Sequence, residues 1–138
     1  MAGQTLNPYI NFKDNAREAM DFYKSVLGGE LTISTFKEGG ASSGPADENL
    51  IMHSQLETPA GFTLMASDTP AHMEFKGAGN ISVSLSGTDE AALSSYWNKL
   101  KEGASILQPL EKAPWGDSFG MLADKFGVVW LVNITGAK

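Results

Sequence analysis

Two histidines, His53 and His72, and no cysteine bound the metal-ligand and nucleophile chemistry open to this chain of 138 residues. Without cysteine there is no disulfide framework, thiolate zinc site, iron–sulfur cluster or cysteine nucleophile. Any imidazole metal ligand must be His53 or His72. His53 falls in the strand-like Ile51-Met52-His53. There an imidazole can serve as a general base, or as a hydrogen-bond partner of a substrate near neutral pH. A strand histidine can equally be structural, and both readings stand. His72 lies in Thr69-Pro70-Ala71-His72-Met73, a turn-rich stretch, and reads as a surface residue. A His53/His72 metal pair requires that loop to fold over the mouth of a site. Trp115 opens Trp115-Gly116-Asp117, ahead of a strand, so it can stack on a ligand at a rim or pack beneath its loop. Glu111 and Asp117 flank the same loop without the spacing of a paired-carboxylate site.

Other chemistries are missing from the pattern. Gly77-Ala78-Gly79 lacks the rest of a dinucleotide fingerprint, and no Gly-Lys-Ser/Thr phosphate loop exists. Gly40-Ala41-Ser42-Ser43-Gly44 has the Gly-x-Ser-x-Gly spacing, but it falls within a loop and not at the strand-to-helix turn of a nucleophile elbow. With 10 Lys+Arg against 16 Asp+Glu, the net charge is −6 and no basic run occurs. That balance argues against a nucleic-acid partner, whose phosphates call for clustered Lys and Arg. The longest aliphatic or aromatic run, Val128 to Val132, is far short of the roughly 20 residues that span a bilayer. Met1-Ala2-Gly3-Gln4-Thr5 has neither a basic flank nor an apolar stretch, so no secretory signal is expected. The expectation is a soluble, cytoplasmic protein with no membrane partner.

The elements that must position these residues follow from hydrophobic periodicity. Leu6 to Phe12 reads as a strand. Asn15 with Glu18 resembles a capping box, and Ala16, Ala19, Met20, Phe22, Tyr23, Val26 and Leu27 follow at helical spacing. Gly28-Gly29 stops that helix. Leu31 to Phe36 is a strand, Lys37 to Asn49 a loop, and Leu50 to Glu57 with Gly61 to Ser67 a hairpin about Thr58-Pro59-Ala60. Asn80 to Ser86 begins a second round. Thr88 or Asp89 caps a helix carrying Leu93, Tyr96, Trp97 and Leu100, which Gly103 ends. Strands follow near Ser105 to Leu110, Ser118 to Ala123 and Val128 to Ile134.

The second half therefore repeats the first. Asn7, Phe22-Tyr23 and Gly29 find counterparts in Asn80, Tyr96-Trp97 and Gly103, with one inserted residue reconciling the offsets. Each half reads strand, helix, three strands. Such a unit leaves one sheet face bare, so two must pack together.

Several segments, in order along nearly the whole chain, carry a family resemblance. They are Asn7-Pro8-Tyr9-Ile10-Asn11-Phe12, the helix ending Asp21-Phe22-Tyr23 with Leu27-Gly28-Gly29, Ile51-Met52-His53, and Leu64-Met65-Ala66-Ser67-Asp68. The most specific is Asp124-Lys125-Phe126-Gly127-Val128-Val129-Trp130-Leu131-Val132-Asn133. The chain resembles the PhnB-like branch of the vicinal oxygen chelate superfamily, which includes glyoxalase I, extradiol dioxygenases and bleomycin- and fosfomycin-resistance proteins. The resemblance implies an α+β fold: two βαβββ modules forming a cup-shaped mixed β-sheet barrel, with helices outside. It implies a single domain over 1–138, with module one at about 5–68 and module two at about 79–135. A homodimer is expected, with exchange of modules between chains as one form of it. Members of this branch are sometimes labelled ubiquinone-pathway methyltransferases, but no glycine-rich loop for S-adenosylmethionine lies between a strand and a helix here.

Metal-dependent members direct four ligating side chains inward from four strands. Carried over, those positions fall at Asn7, Met65, Asn80 and Leu131. Two carboxamides, a thioether and an aliphatic chain are poor ligands for a divalent ion. No metal site or cofactor is expected, and a divalent metal belongs here only if the family site is relocated. Strand alternation adds inward candidates: Tyr9 and Asn11 beside Asn7, Thr63 and Ser67 beside Met65, Ser82 and Ser84 beside Asn80, Val129 and Asn133 beside Leu131. Trp130 should face the other way and join helix–sheet packing. The resulting expectation is a cavity between the modules that binds a small molecule. Its contacts would be Asn7, Tyr9, His53, Met65, Asn80, Ser82, Trp115 and Leu131. The competing reading of that lining is an ordinary sheet face satisfied by neighbours or water. The alternative function is a lyase, isomerase or dioxygenase-type enzyme, with His53 as its catalytic acid–base residue or in a relocated metal site.

Overall fold

A computed structural model describes residues 6–40, 44–45, 48–69 and 81–136. His72, Asn80 and Gly77-Ala78-Gly79 lie outside the described residues. In chain order the elements are β1 Tyr9–Phe12, α1 Ala16–Leu27, β2 Glu30–Thr35, β3 Ile51–Glu57 and β4 Thr63–Asp68. They continue with β5 Val83–Gly87, α2 Glu90–Leu100, β6 Ser105–Lys112, β7 Ser118–Ala123 and β8 Val129–Ile134. The chain falls into two compact units, Met1–Gly77 and Ala78–Lys138. Each unit holds one β-α-β-β-β run.

The sheet order is β1-β4-β3-β2 in the first unit and β5-β8-β7-β6 in the second. In both, the first strand runs parallel to the last and the other neighbours are antiparallel. The internal repeat is thus a repeat of topology, and the fold is α+β. Hydrogen bonding among the described residues runs within two four-stranded sheets rather than around one closed ladder. No helix among them is long and apolar enough to cross a membrane.

The apolar spacing of α1 buries Ala16, Ala19, Met20, Tyr23, Val26 and Leu27. That face packs against β2, β3 and β4. Gly28, at φ 77°, ends the helix, and its N–H donates to the Lys24 carbonyl at 2.8 Å. Gly29, at φ 104°, passes so close to β3 that a side-chain carbon would overlap the Glu57 carbonyl. Only glycine suits both its dihedral and its space.

The start of α1 departs from expectation. Asn15 occupies the cap position, but its side chain makes no capping hydrogen bond. Asp68, at the end of β4, takes that role: its Oδ1 accepts the Ala16 N–H at 2.8 Å, and its Oδ2 accepts the Ile51 N–H at 2.9 Å. A buried carboxylate already sits at the helix terminus, so the Asn15–Glu18 capping box does not form. The reciprocal pattern occurs instead after β2. There the Thr35 N–H donates to Glu38 Oε1 at 2.9 Å, and the Glu38 N–H donates to Thr35 Oγ1 at 3.1 Å. In the second unit Asp89 caps α2 as expected, accepting the Ala92 N–H at 3.0 Å.

β1 begins three residues later than expected, at Tyr9. Pro8 has no N–H for a ladder, although its carbonyl accepts from the Met65 N–H at 3.1 Å. β5 likewise begins at Val83, beyond the expected Asn80. In the second unit α2 packs against β5 and β8, burying Leu93, Trp97 and Leu100. Trp97 lies over Gly120, where an added methyl would overlap its ring. Trp130 is 1% exposed, as expected for a residue of the helix-covered layer. Each fully buried large side chain contributes roughly 1.5–3 kcal/mol.

Candidate functional site

Cross-strand partners project from the same side of a sheet, so the registers assign each strand residue of the first unit to a face. Ile10, Ala66, Ser54 and Ile33 stand in one row, and Leu64, Leu56 and Leu31 in another. This is the helix-covered face. Its one buried hydroxyl, Ser54 Oγ, is satisfied by donating to the Ala66 carbonyl at 2.7 Å.

The opposite face carries different chemistry. Tyr9, Met65, Gln55 and Thr32 form one row, since Tyr9 opposes Met65, Met65 opposes Gln55, and Gln55 opposes Thr32. Two residues along, Asn11 opposes Ser67 on one side and His53 opposes Ser34 on the other. The Ser67 hydroxyl donates to Asn11 Oδ1 at 3.3 Å. The Tyr9 and His53 rings lie 6.0 Å apart between centroids, inclined by 36°. That separation is usual for interacting aromatic pairs. Met65, Gln55, His53 and Ser34 are half-buried, Ser67 is buried, and Tyr9 is 48% exposed.

This face brings together three of the anticipated residues, Tyr9, His53 and Met65. Asn11 and Ser67, anticipated from alternation, join them. Asn7 precedes β1, is half-buried, and its Nδ2 donates to the Pro8 carbonyl at 3.1 Å. Gln55, Thr32 and Ser34 were not anticipated. Alternation from His53 already reaches Gln55, whereas Thr32 and Ser34 depend on the β2–β3 register.

In the second unit, Leu131 lies on the face turned away from α2, between Ser84 on β5 and Met121 on β7. Asn133 lies between Ser86 and Phe119 on the same face. Phe119, Met121, Val129 and Leu131 make it more apolar than its counterpart in the first unit. Ser82 is exposed just before β5, beyond the Val83–Trp130 pair. Trp115 is 67% exposed in the turn before β7, at the end marked by the Ser118–Ile134 pair. The sheet therefore separates Ser82 and Trp115 rather than joining them.

A divalent ion of the superfamily type does not fit the residues at its expected positions. Asn7 offers a carboxamide whose Nδ2 donates to the Pro8 carbonyl, Met65 a thioether and Leu131 only hydrocarbon. Among the described residues no group of three or more His, Cys, Asp or Glu side chains is placed to hold a metal. The buried carboxylates serve the fold. Asp124 Oδ1 accepts the Phe126 and Val128 N–H groups at 2.8 and 3.0 Å, and its Oδ2 accepts the Trp130 indole N–H at 2.9 Å. The most family-like segment of the chain is thus a locked turn that leads from β7 into β8.

Residues 4–133 match the family model described as 3-demethylubiquinone-9 3-methyltransferase. Protein PA1353 from Pseudomonas aeruginosa is 38% identical, with a TM-score of 0.81 over 96% of this chain and 98% of its own. A PhnB protein from Bacillus cereus is 27% identical, with a TM-score of 0.75 over 96% of this chain and 100% of its own. A glyoxylase/bleomycin resistance protein/dioxygenase domain from Frankia is 14% identical and shares the fold, with a TM-score of 0.64 over 99% of this chain and 100% of its own. With its repeated βαβββ topology and a match over almost its full length, the chain belongs to the PhnB-like 3-demethylubiquinone-9 3-methyltransferase family.

Proposed function

We propose that this chain binds a small molecule without a metal, on the helix-free face of its first module. The observation that carries the reading is the paired Tyr9 and His53 rings, set beside Met65 and the Asn11–Ser67 hydrogen bond. Rings and a thioether supply apolar contact, while amides and hydroxyls fix orientation, the usual make-up of a small-molecule site. Metal-independence rests on the donor chemistry at Asn7, Met65 and Leu131. Elemental analysis of protein purified without chelator should find no stoichiometric zinc, nickel, manganese or iron; one equivalent of any of them rules out the metal-free form.

Methyl transfer draws no support from the β1–α1 connection. It consists of Lys13-Asp14-Asn15 and has no glycine to admit a cofactor against the backbone. Acid–base chemistry at His53 is the second reading, favoured by a half-buried imidazole beside a phenol. It requires His53→Ala to abolish turnover while the fold stays intact. We also propose a homodimer. Its support is the edge strand β6, where Ile106 and Leu107 are 44% and 54% exposed.

A further inference from the structure

The strands that carry the binding face of the first module, β1 to β4, hold no Lys or Arg, and this bears on which ligands the face can take. Their charged members are Glu30, Glu57, Asp68 and, when protonated, His53. Glu30 and Glu57 stand directly opposite each other, both exposed, on the face that carries Gln55 and Thr32. Asp68 is buried on the other face.

An anion could instead be met by a helix N-terminus, where free N–H groups and the dipole attract negative charge. At each helix start one of these N–H groups is already taken. The Ala16 N–H of α1 is bonded to the Asp68 carboxylate, and the Ala92 N–H of α2 to Asp89. At both helix starts the nearby negative charge is one of the chain's own carboxylates. An anionic ligand on this face would lose hydration without gaining a Lys or Arg partner from these strands, and it would approach a molecule of net charge −6.

We propose that the Tyr9–His53 face selects uncharged or cationic planar molecules and rejects anions of the same shape. The inference rests on that face being the ligand site. It deepens the reading by assigning the ligand's charge class, with the rings taking the planar body and Asn11, Ser67 and Gln55 its hydrogen-bonding groups.

Three indoles that share one ring system separate charge from shape: tryptophol is neutral, tryptamine cationic and indole-3-acetate anionic. Each is titrated into the full chain at pH 8. Amide shifts of Tyr9, Asn11, His53 and Ser67 are followed by NMR. Tryptophol and tryptamine should each bind at least tenfold more tightly than indole-3-acetate. The comparison with tryptophol is free of any general attraction of cations to an acidic protein. Gln55→Lys, or Thr32→Lys if the first variant fails to fold, should narrow or reverse the difference by placing a cation on the face. If indole-3-acetate binds at these residues within tenfold of tryptophol, charge selection is overturned while the ligand site survives. If none of the three shifts these amides, the ligand site itself falls, and the selectivity with it.

Discussion

Asp124 gathers three donors on two oxygens, at 2.8, 3.0 and 2.9 Å, while only 4% exposed. Removing it strands the Val128 N–H and the Trp130 indole N–H in a buried setting. Hydrogen bonds to a charged group are worth about 1.5–3 kcal/mol each, and they are not fully additive. Asp124→Ala should therefore cost about 3–5 kcal/mol in urea unfolding, and a loss below about 1 kcal/mol would contradict the assignment. Glu38 shows the same chemistry at the surface. The Thr35 backbone N–H, followed by the Thr35 side chain, holds the Glu38 carboxyl below the usual glutamate range, with Arg17 adding a smaller pull. Folding thus favours the ionised form. The stabilisation is complete above the ordinary glutamate value and is lost as pH falls through the lowered one. A carbon-13 titration should place the Glu38 midpoint below that of an ordinary glutamate. Thr35→Ala should move it only part of the way back, because the stronger backbone bond remains.

The first module's helix is held by a residue from another strand, and the second module's helix by its own neighbour. Asp68→Ala frees the N–H groups of Ala16 and Ile51 together, and should cost about 2–4 kcal/mol by chemical denaturation. Asn15→Ala, at the position where local capping was expected, should cost less than about 0.5 kcal/mol. The reverse order would show that the cap is local after all. The same contrast separates what the sequence made legible from what it did not. The α1 spacing, the Gly28 stop, the Asp89 cap and the hairpin at Thr58-Pro59-Ala60 each depend on residues within a few positions. The Asp68 cap depends on a partner 52 residues away, and Thr32 and Ser34 reach the candidate site only through a register between strands. Strand β6 shows the limit clearly. Its pairing with β7 shifts on either side of Gln108, beside Pro109, and no alternation in its sequence marks those shifts. Within the site, Tyr9, Met65 and His53 were legible through family resemblance and strand alternation. Asn80 and His72 lie outside the described residues.

At the scale of the molecule, one topology has been built twice with different surfaces. The helix-free face of the first module is polar and aromatic; that of the second carries Phe119, Met121, Val129 and Leu131. The exposed apolar side chains of β6 bear on assembly. If β6 forms the proposed homodimer contact, sedimentation at micromolar concentration should show a dimer, and Leu107→Lys should shift it toward monomer without unfolding it. A monomeric parent protein would remove β6 from that role. The two ways of capping a helix also imply an order of assembly. The Asp89–Ala92 contact closes a loop of 3 residues, and the Asp68–Ala16 contact one of 52. Each doubling of a closed loop adds about 0.6 kcal/mol of entropic cost, so the longer closure is dearer by about 2.5 kcal/mol. The second helix can nucleate as soon as its own first turn exists. The first helix leaves the ribosome earlier, yet it must wait for residue 68 to follow before its end is secured, so the part of the chain made first is completed late.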